Sequence, residues 1–135
     1  MRLAAPVVAI LLSAAALSGC DTLNWEPYRA TGVADGSEDQ ARIMAVVTAV
    51  ATESGMARTD AKTRKATTFL AFTRIEAPSL PIDLAVRHDA SDVLIALSSV
   101  FGPRIPAFNR IRTRLGAALR TEFGERCIDE QRRAP

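Results

Sequence analysis

The sequence has few of the residues that build catalytic and metal sites. Among its 135 residues are two cysteines, one tryptophan, one tyrosine and one histidine, and aromatic residues make up only 5%. Zinc sites usually need three or four Cys, His or acidic ligands at set spacings, so we predict no metal and no cofactor. Glycine-rich phosphate loops and the common nucleophile motifs are also absent. A hydrophobic share of 48% and a charged share of 24% are typical of one small globular domain.

The only histidine lies in a short run of reactive residue types. His88 is followed by Asp89, Ser91 and Asp92. A catalytic triad needs a base oriented between two other groups, and adjacency on a hairpin does not give that geometry. A surface turn accounts for these residues. We therefore predict no catalytic residue and no enzymatic activity, and a small enzyme based on His88 is the third hypothesis.

Charge is almost balanced once the first 19 residues are set aside, with 16 Lys and Arg against 15 Asp and Glu. This balance argues against a nucleic-acid partner. The positive charge is concentrated in residues 104 to 135, which hold eight Arg and four acidic residues. Arg110 and Arg114 fall on the polar side of a predicted helix. Either they bind anionic headgroups or an acidic protein surface, or they belong to a solvated helix face.

Residues 1 to 19 have the pattern of an export signal. Arg2 supplies the positive start, and an apolar run follows from Leu3 to Leu17. A membrane-spanning helix needs about 20 apolar residues, so this run is too short to be an anchor. Ser18 and Gly19 are small residues of the kind that a signal peptidase accepts.

The end of this leader, Leu17-Ser18-Gly19-Cys20, resembles the lipobox of bacterial lipoproteins. The resemblance implies that Cys20 receives a diacylglyceryl group and fatty acyl chains such as palmitate. The protein would then be anchored to a cell membrane on the periplasmic side. Asp21 favours the inner membrane if the enterobacterial sorting habit applies, and otherwise the outer membrane is expected. The alternative is a soluble export signal followed by an incidental cysteine.

Residues 20 to 35 are predicted to be the lipidated N-terminus and a tether, because they contain Pro27 and Gly32 and show no helical or strand period. Trp25 and Tyr28 in this segment either sit at the membrane interface or dock onto the domain. With Cys20 lipidated, Cys127 is the only remaining thiol. It is either a small buried apolar residue or the site of an intermolecular disulfide.

Residues 36 to 125 have the pattern of an α-β-β-β-α domain. Ser37 and Gln40 form a capping-box pattern at the start of a helix that Gly55 ends. Strands are predicted at Thr67 to Glu76, Leu80 to His88 and Asp92 to Ser99, followed by a helix at Pro106 to Phe123. Residues 126 to 135 are predicted to be a charged tail, in which Arg126-Cys127-Ile128 adds a short edge strand.

These elements predict an α+β fold, a two-layer sandwich with both helices on one face of a three-stranded antiparallel meander. The other sheet face is then open. We expect a non-catalytic envelope lipoprotein that acts as a protein-binding or accessory subunit of an envelope complex. In the alternative, a small lipid- or apolar-ligand-binding module, the sheet face encloses its ligand together with Trp25 and Tyr28. The sequence leaves the oligomeric state open.

Overall fold

The computed structural model describes residues 24–59, 67–76 and 80–129. The leader, Cys20, the connection at 77–79 and the end of the tail lie outside the described residues. The described residues form an α+β fold, as predicted. Its elements are β1 (Asn24–Ala30), α1 (Glu38–Glu53), β2 (Ala57–Arg58), β3 (Thr68–Glu76), β4 (Leu80–Asp89), β5 (Asp92–Ser99), α2 (Pro106–Phe123) and β6 (Cys127–Asp129).

The sheet contains more strands than the sequence predicts. Its order is β2-β3-β4-β5-β1-β6, and every neighbouring pair is antiparallel. The three predicted strands are adjacent as β3, β4 and β5, but the prediction of a three-stranded sheet was wrong in the number of strands. Strand β1 adds to β5, the short β6 pairs with β1, and the two-residue β2 pairs with β3.

Strand β1 lies in the segment for which we expected only a tether. Its alternation is hard to see in the sequence because Glu26 occupies a buried position, 7% exposed, where an apolar residue is usual. Arg112 of α2 compensates this buried carboxylate at 3.2 Å. Pairing with β5 on one side and β6 on the other then holds the strand in place despite Pro27.

Helix α1 begins as its capping residues predict. The Ser37 hydroxyl accepts a hydrogen bond from the Gln40 backbone N–H at 3.2 Å. The Gln40 side chain reaches back and accepts from the Gly36 backbone N–H, one residue before the cap. Gly55 follows the helix with a φ of 71°, in the left-handed region that favours glycine.

Both helices pack on one face of the sheet. Helix α2 has the predicted bounds, and its apolar stripe joins that of α1 and alternate residues of the central strands in one buried core. The fully buried side chains of this core include Ile43, Leu84, Ile95, Leu97, Phe108, Ile111, Leu115 and Leu119. Each side chain of this size contributes about 1.5–3 kcal/mol when it is fully buried. Among the described residues, no helix is long and apolar enough to cross a membrane.

Candidate functional site

The candidate site lies on the sheet face opposite α1 and α2, which we call the far face. A strand points successive side chains to opposite sides, so the residues between the core positions form this face. One row of neighbours across β1, β5, β4 and β3 consists of Pro27, Ala96, Ala85 and Ala71. These side chains are short, and this row is therefore a depression in the sheet surface.

A cavity of about 430 Å³ stands over this row. Its floor is made by Pro27, Ala85 and Ala96, and Trp25 rises at one end. The remaining lining residues stand at the other end, and these are Thr68, Arg87 and Leu94. Small-molecule sites usually have volumes of about 300–1,000 Å³, with mainly apolar walls and a few placed polar groups. The far-face cavity has both properties.

Arg87 is the charged residue of the cavity lining. Its side chain is half-buried, and within the described part of the chain it makes no hydrogen bond or ion pair. Asp89 lies close enough for its pKa to be affected by the charge of Arg87. The pKa of Asp89 is held below its ordinary value mainly by a hydrogen bond from Arg29, and the positive charge on Arg87 adds to this effect. The guanidinium of Arg87 thus borders the cavity and has no hydrogen-bond partner among the described residues.

Arg29, an arginine on the same face, differs from Arg87 because it has two acidic partners. It lies two residues beyond Pro27 in β1, and its guanidinium contacts Asp89 at 2.5 Å and Asp92 at 3.3 Å. Asp92 also accepts a hydrogen bond from the Gly32 backbone N–H at 3.0 Å. Both carboxylates therefore fasten the β4–β5 turn to β1.

His88 points to the helix side of the sheet and not into the cavity. Its Nε2 lies 3.3 Å from a carboxylate oxygen of Asp35, and its ring packs against Phe69 with 4.7 Å between centroids. His88, Asp89 and Ser91 thus do not converge on one point. Among the described residues, no group of three or more His, Cys, Asp or Glu side chains could hold a metal ion.

The two aromatic residues predicted to act together lie on opposite faces. Trp25 borders the cavity and is 44% exposed. Tyr28 is buried on the helix side, where its hydroxyl donates to the backbone carbonyl of Arg112 at 3.4 Å. The prediction that both residues enclose one ligand is corrected, because their spacing of three residues in a strand places them on opposite sides.

Arg110 and Arg114 are both exposed on α2, away from the cavity. Arg114 donates a hydrogen bond to the backbone carbonyl of Glu53 at 3.4 Å. Two other arginines of the same segment hold the fold together. Arg112 contacts Glu26, and Arg126 contacts Asp39 at 2.8 Å. Much of the C-terminal positive charge is therefore used within the protein.

Cys127 is buried in the core, with 9% of its surface exposed, and it pairs with Ala30 across β6 and β1. This is the environment of a small apolar residue. An intermolecular disulfide through Cys127 would require β6 to leave the sheet.

The residues that sequence reasoning missed are Arg87 and the alanines of the cavity floor. Their signal was present in the alternation of β4, which assigns Ala85 and Arg87 to the side away from the core. The missing information was the pairing of β1 with β5, which brings Trp25 and Pro27 beside them. No known protein family matches this chain, and no curated protein does.

Proposed function

We propose that the protein is a non-catalytic binding protein of the bacterial cell envelope, anchored by lipid at Cys20. In this proposal the far-face cavity holds the apolar chain of an anionic amphiphile such as a fatty acid. The observation that carries the proposal is an apolar cavity with one guanidinium, that of Arg87, at the end opposite Trp25, where it makes no ion pair with any described residue.

The lining supports a ligand with two chemically different ends. Trp25, Pro27, Ala85, Leu94 and Ala96 offer mainly apolar surface along the cavity. A hydrocarbon chain loses its contact with water there without leaving a polar group unpaired. At the other end, an arginine fork matches the two oxygens of a carboxylate, and such charge-assisted hydrogen bonds are strong in apolar surroundings.

The lipid anchor supports the same ligand class. Acyl chains contribute about 0.8 kcal/mol for each buried methylene, so two or more chains hold a protein firmly at a bilayer. A domain held there has a supply of amphiphiles at short range. The lipobox resemblance at Cys20 is the support for this part of the proposal.

The anchor is tested with the Cys20→Ala variant. We expect this variant to remain an unprocessed precursor and to incorporate no labelled fatty acid, because the acylated thiol is gone. The measurement is metabolic labelling with mass spectrometry of the N-terminus. Continued incorporation of lipid by Cys20→Ala would contradict the proposed anchor.

The cavity is tested by titrating the full-length protein in lipid nanodiscs with decanoate and with decyltrimethylammonium. These probes share a chain and carry opposite charges. Trp25 is the only tryptophan and borders the cavity, so the fluorescence comes from one residue, and only a change that Ala96→Phe weakens is assigned to the cavity. We expect decanoate to bind more tightly. Arg87→Gln should weaken decanoate binding about 10- to 100-fold, because it removes charge-assisted hydrogen bonds of about 1.5–3 kcal/mol.

Two further variants complete this test. Ala96→Phe fills the cavity floor and should weaken binding of both probes. Arg110→Gln removes a positive charge from the exposed side of α2 and should change neither titration. Equal affinity of the unaltered protein for the two probes, or an equal effect of Arg87→Gln and Arg110→Gln on decanoate, would contradict the proposal.

A second candidate function is that of an accessory subunit that binds another envelope protein, and one feature of β1 favours it. The described part of β6 pairs only with Tyr28–Ala30, so the outer edge of β1 at its beginning has no strand beside it among the described residues. An extended peptide can add to such an edge through backbone hydrogen bonds. A photoreactive group at Trp25 should then give one adduct of defined mass in cells, and a group at Ala117 should give none.

A further inference from the structure

We infer that one end of the sheet, the end at which β1 begins and β5 ends, lies against the surface of the lipid bilayer. We call it the Trp25 end, and we call the opposite end, at the β4–β5 turn, the Ala90 end. The inference rests on the proposed lipid anchor at Cys20 and adds the orientation of the domain and the residues that contact lipid.

The exposed large apolar side chains of the described residues all lie at the Trp25 end. These are Trp25 at 44%, Ile75 at 62% and Phe101 at 44% exposure. Trp25 is the second residue of β1, Ile75 is the last but one of β3, and Phe101 follows the end of β5 by two residues. The register brings these positions to the same end, because Asn24 pairs with Ser99 and Ile75 pairs with Pro81.

Phe101 is held in its exposed position by an ordered turn. The backbone N–H of Arg104 donates to the Phe101 carbonyl at 2.9 Å, and that of Ile105 donates to the Gly102 carbonyl at 2.9 Å. Ile105 is buried and fastens the turn to the core. Exposure of a large aromatic side chain to water costs free energy, and an ordered aromatic residue in this position is typical of a contact surface. Trp and other aromatic residues are favoured at membrane interfaces.

The length of chain before β1 places this end close to the anchor. Three residues lie between Cys20 and Asn24, so the two are four Cα-to-Cα steps apart. An extended chain spans at most about 3.3–3.6 Å per residue, so Asn24 lies within about 14 Å of the lipidated cysteine. The Ala90 end lies a further strand length away, about 27 Å for the eight residues of β5.

The charge distribution favours the same orientation. Arg104 is exposed near the Trp25 end, three residues after Phe101. The acidic residues Glu26 and Glu76 at this end each have an arginine partner. A bilayer with anionic headgroups attracts the exposed guanidinium of Arg104.

The experiment uses the full lipidated chain in vesicles of phosphatidylcholine and phosphatidylglycerol. Flotation of the vesicles reports the anchor. Brominated lipids quench a fluorophore that lies close to the bilayer. The orientation is therefore read from the quenching of Trp25 and of a dye attached to the cysteine of Arg104→Cys or of Ser91→Cys. The chain without an added cysteine controls for labelling of Cys127, which is buried. The Arg104 dye also separates lipid at the bilayer surface from lipid in the cavity.

We expect Trp25 and the Arg104 dye to be quenched at least about twofold more than the Ser91 dye. The double variant Ile75→Ser and Phe101→Ser should reduce the quenching at Arg104, whereas Ala90→Ser should leave it unchanged. A chain that floats but has its Ser91 dye quenched as strongly as its Arg104 dye overturns the orientation and leaves the anchor intact. A chain that carries no lipid and does not float overturns both.

Discussion

The two faces of the sheet are built from alternate residues of the same strands, and they differ in what covers them. On the helix side, Leu84 and Leu97 are fully buried beneath α1 and α2. On the far face, their strands present Ala85, Ala96 and Leu94 around a cavity. On the helix side the side chains pack beneath α1 and α2, and on the far face, among the described residues, small side chains lie where neither helix packs. The comparison indicates that the core supplies stability, and the far face is the surface at which we propose that a ligand binds.

The strongest test of this comparison is a charge placed beneath the helix layer. Leu115→Asp puts a carboxylate at a fully buried position of α2. An unpaired buried charge costs several kcal/mol, a large share of a total stability of about 5–15 kcal/mol, so we expect loss of cooperative unfolding in urea. Ala117→Asp, at an exposed position of the same helix, is the matched control and should retain the transition. Similar stability of the two variants would mean that α2 does not cover the core.

A smaller loss of stability is expected when a leucine is shortened to alanine on either face of β5. Leu97→Ala should reduce the free energy of unfolding by about 2–5 kcal/mol, because it opens a cavity in packed surroundings. Leu94→Ala should cost about half as much, because its side chain already borders open space. The measurement is equilibrium denaturation of both variants. A larger loss for Leu94→Ala would contradict the division of roles between the faces.

The smallest expected effect concerns the ion pairs that hold the β4–β5 turn to β1. Hydrogen bonding from Arg29 lowers the pKa of Asp89 from its ordinary value of 3.8. The ionised carboxylate therefore stabilises the fold above that value, and this contribution is lost as the pH falls through the lowered pKa. Asp89→Asn should be slightly less stable than the unaltered protein at neutral pH, and the difference should shrink below about pH 4. Urea midpoints measured across this range check it, and a difference that grows on acidification would be inconsistent with the ion pair.

Much of the fold could be predicted from the sequence because its signals are local. The capping pair Ser37 and Gln40, the glycines after both helices and the alternation of β4 each act over a few residues. The bounds of α2 agree with the prediction for the same reason. Strand β1 has no such local signal. Its buried positions include Glu26, which is compensated by Arg112, a residue 86 positions away in sequence.

The candidate site depends on those long-range pairings and was therefore only partly predictable. Trp25 was identified as a candidate because of its residue type, whereas Tyr28 was grouped with it without knowledge of the strand. The sequence does not identify Arg87 as a candidate binding residue, because an arginine on the exposed side of a strand is common. The role that we propose for it follows only when the pairing of β1 with β5 places an apolar cavity beside it.

The most direct test of the far face as the binding face is photolabelling. A fatty acid with a photoreactive group at the end of its chain is added to the full-length protein in nanodiscs, and the labelled peptides are mapped by mass spectrometry. We expect label at the end of the cavity opposite Arg87, in the β1 peptide that contains Trp25 and Pro27, and strong competition by decanoate. Label confined to the helices, or equal labelling of Arg87→Gln and the unaltered protein, would contradict the account.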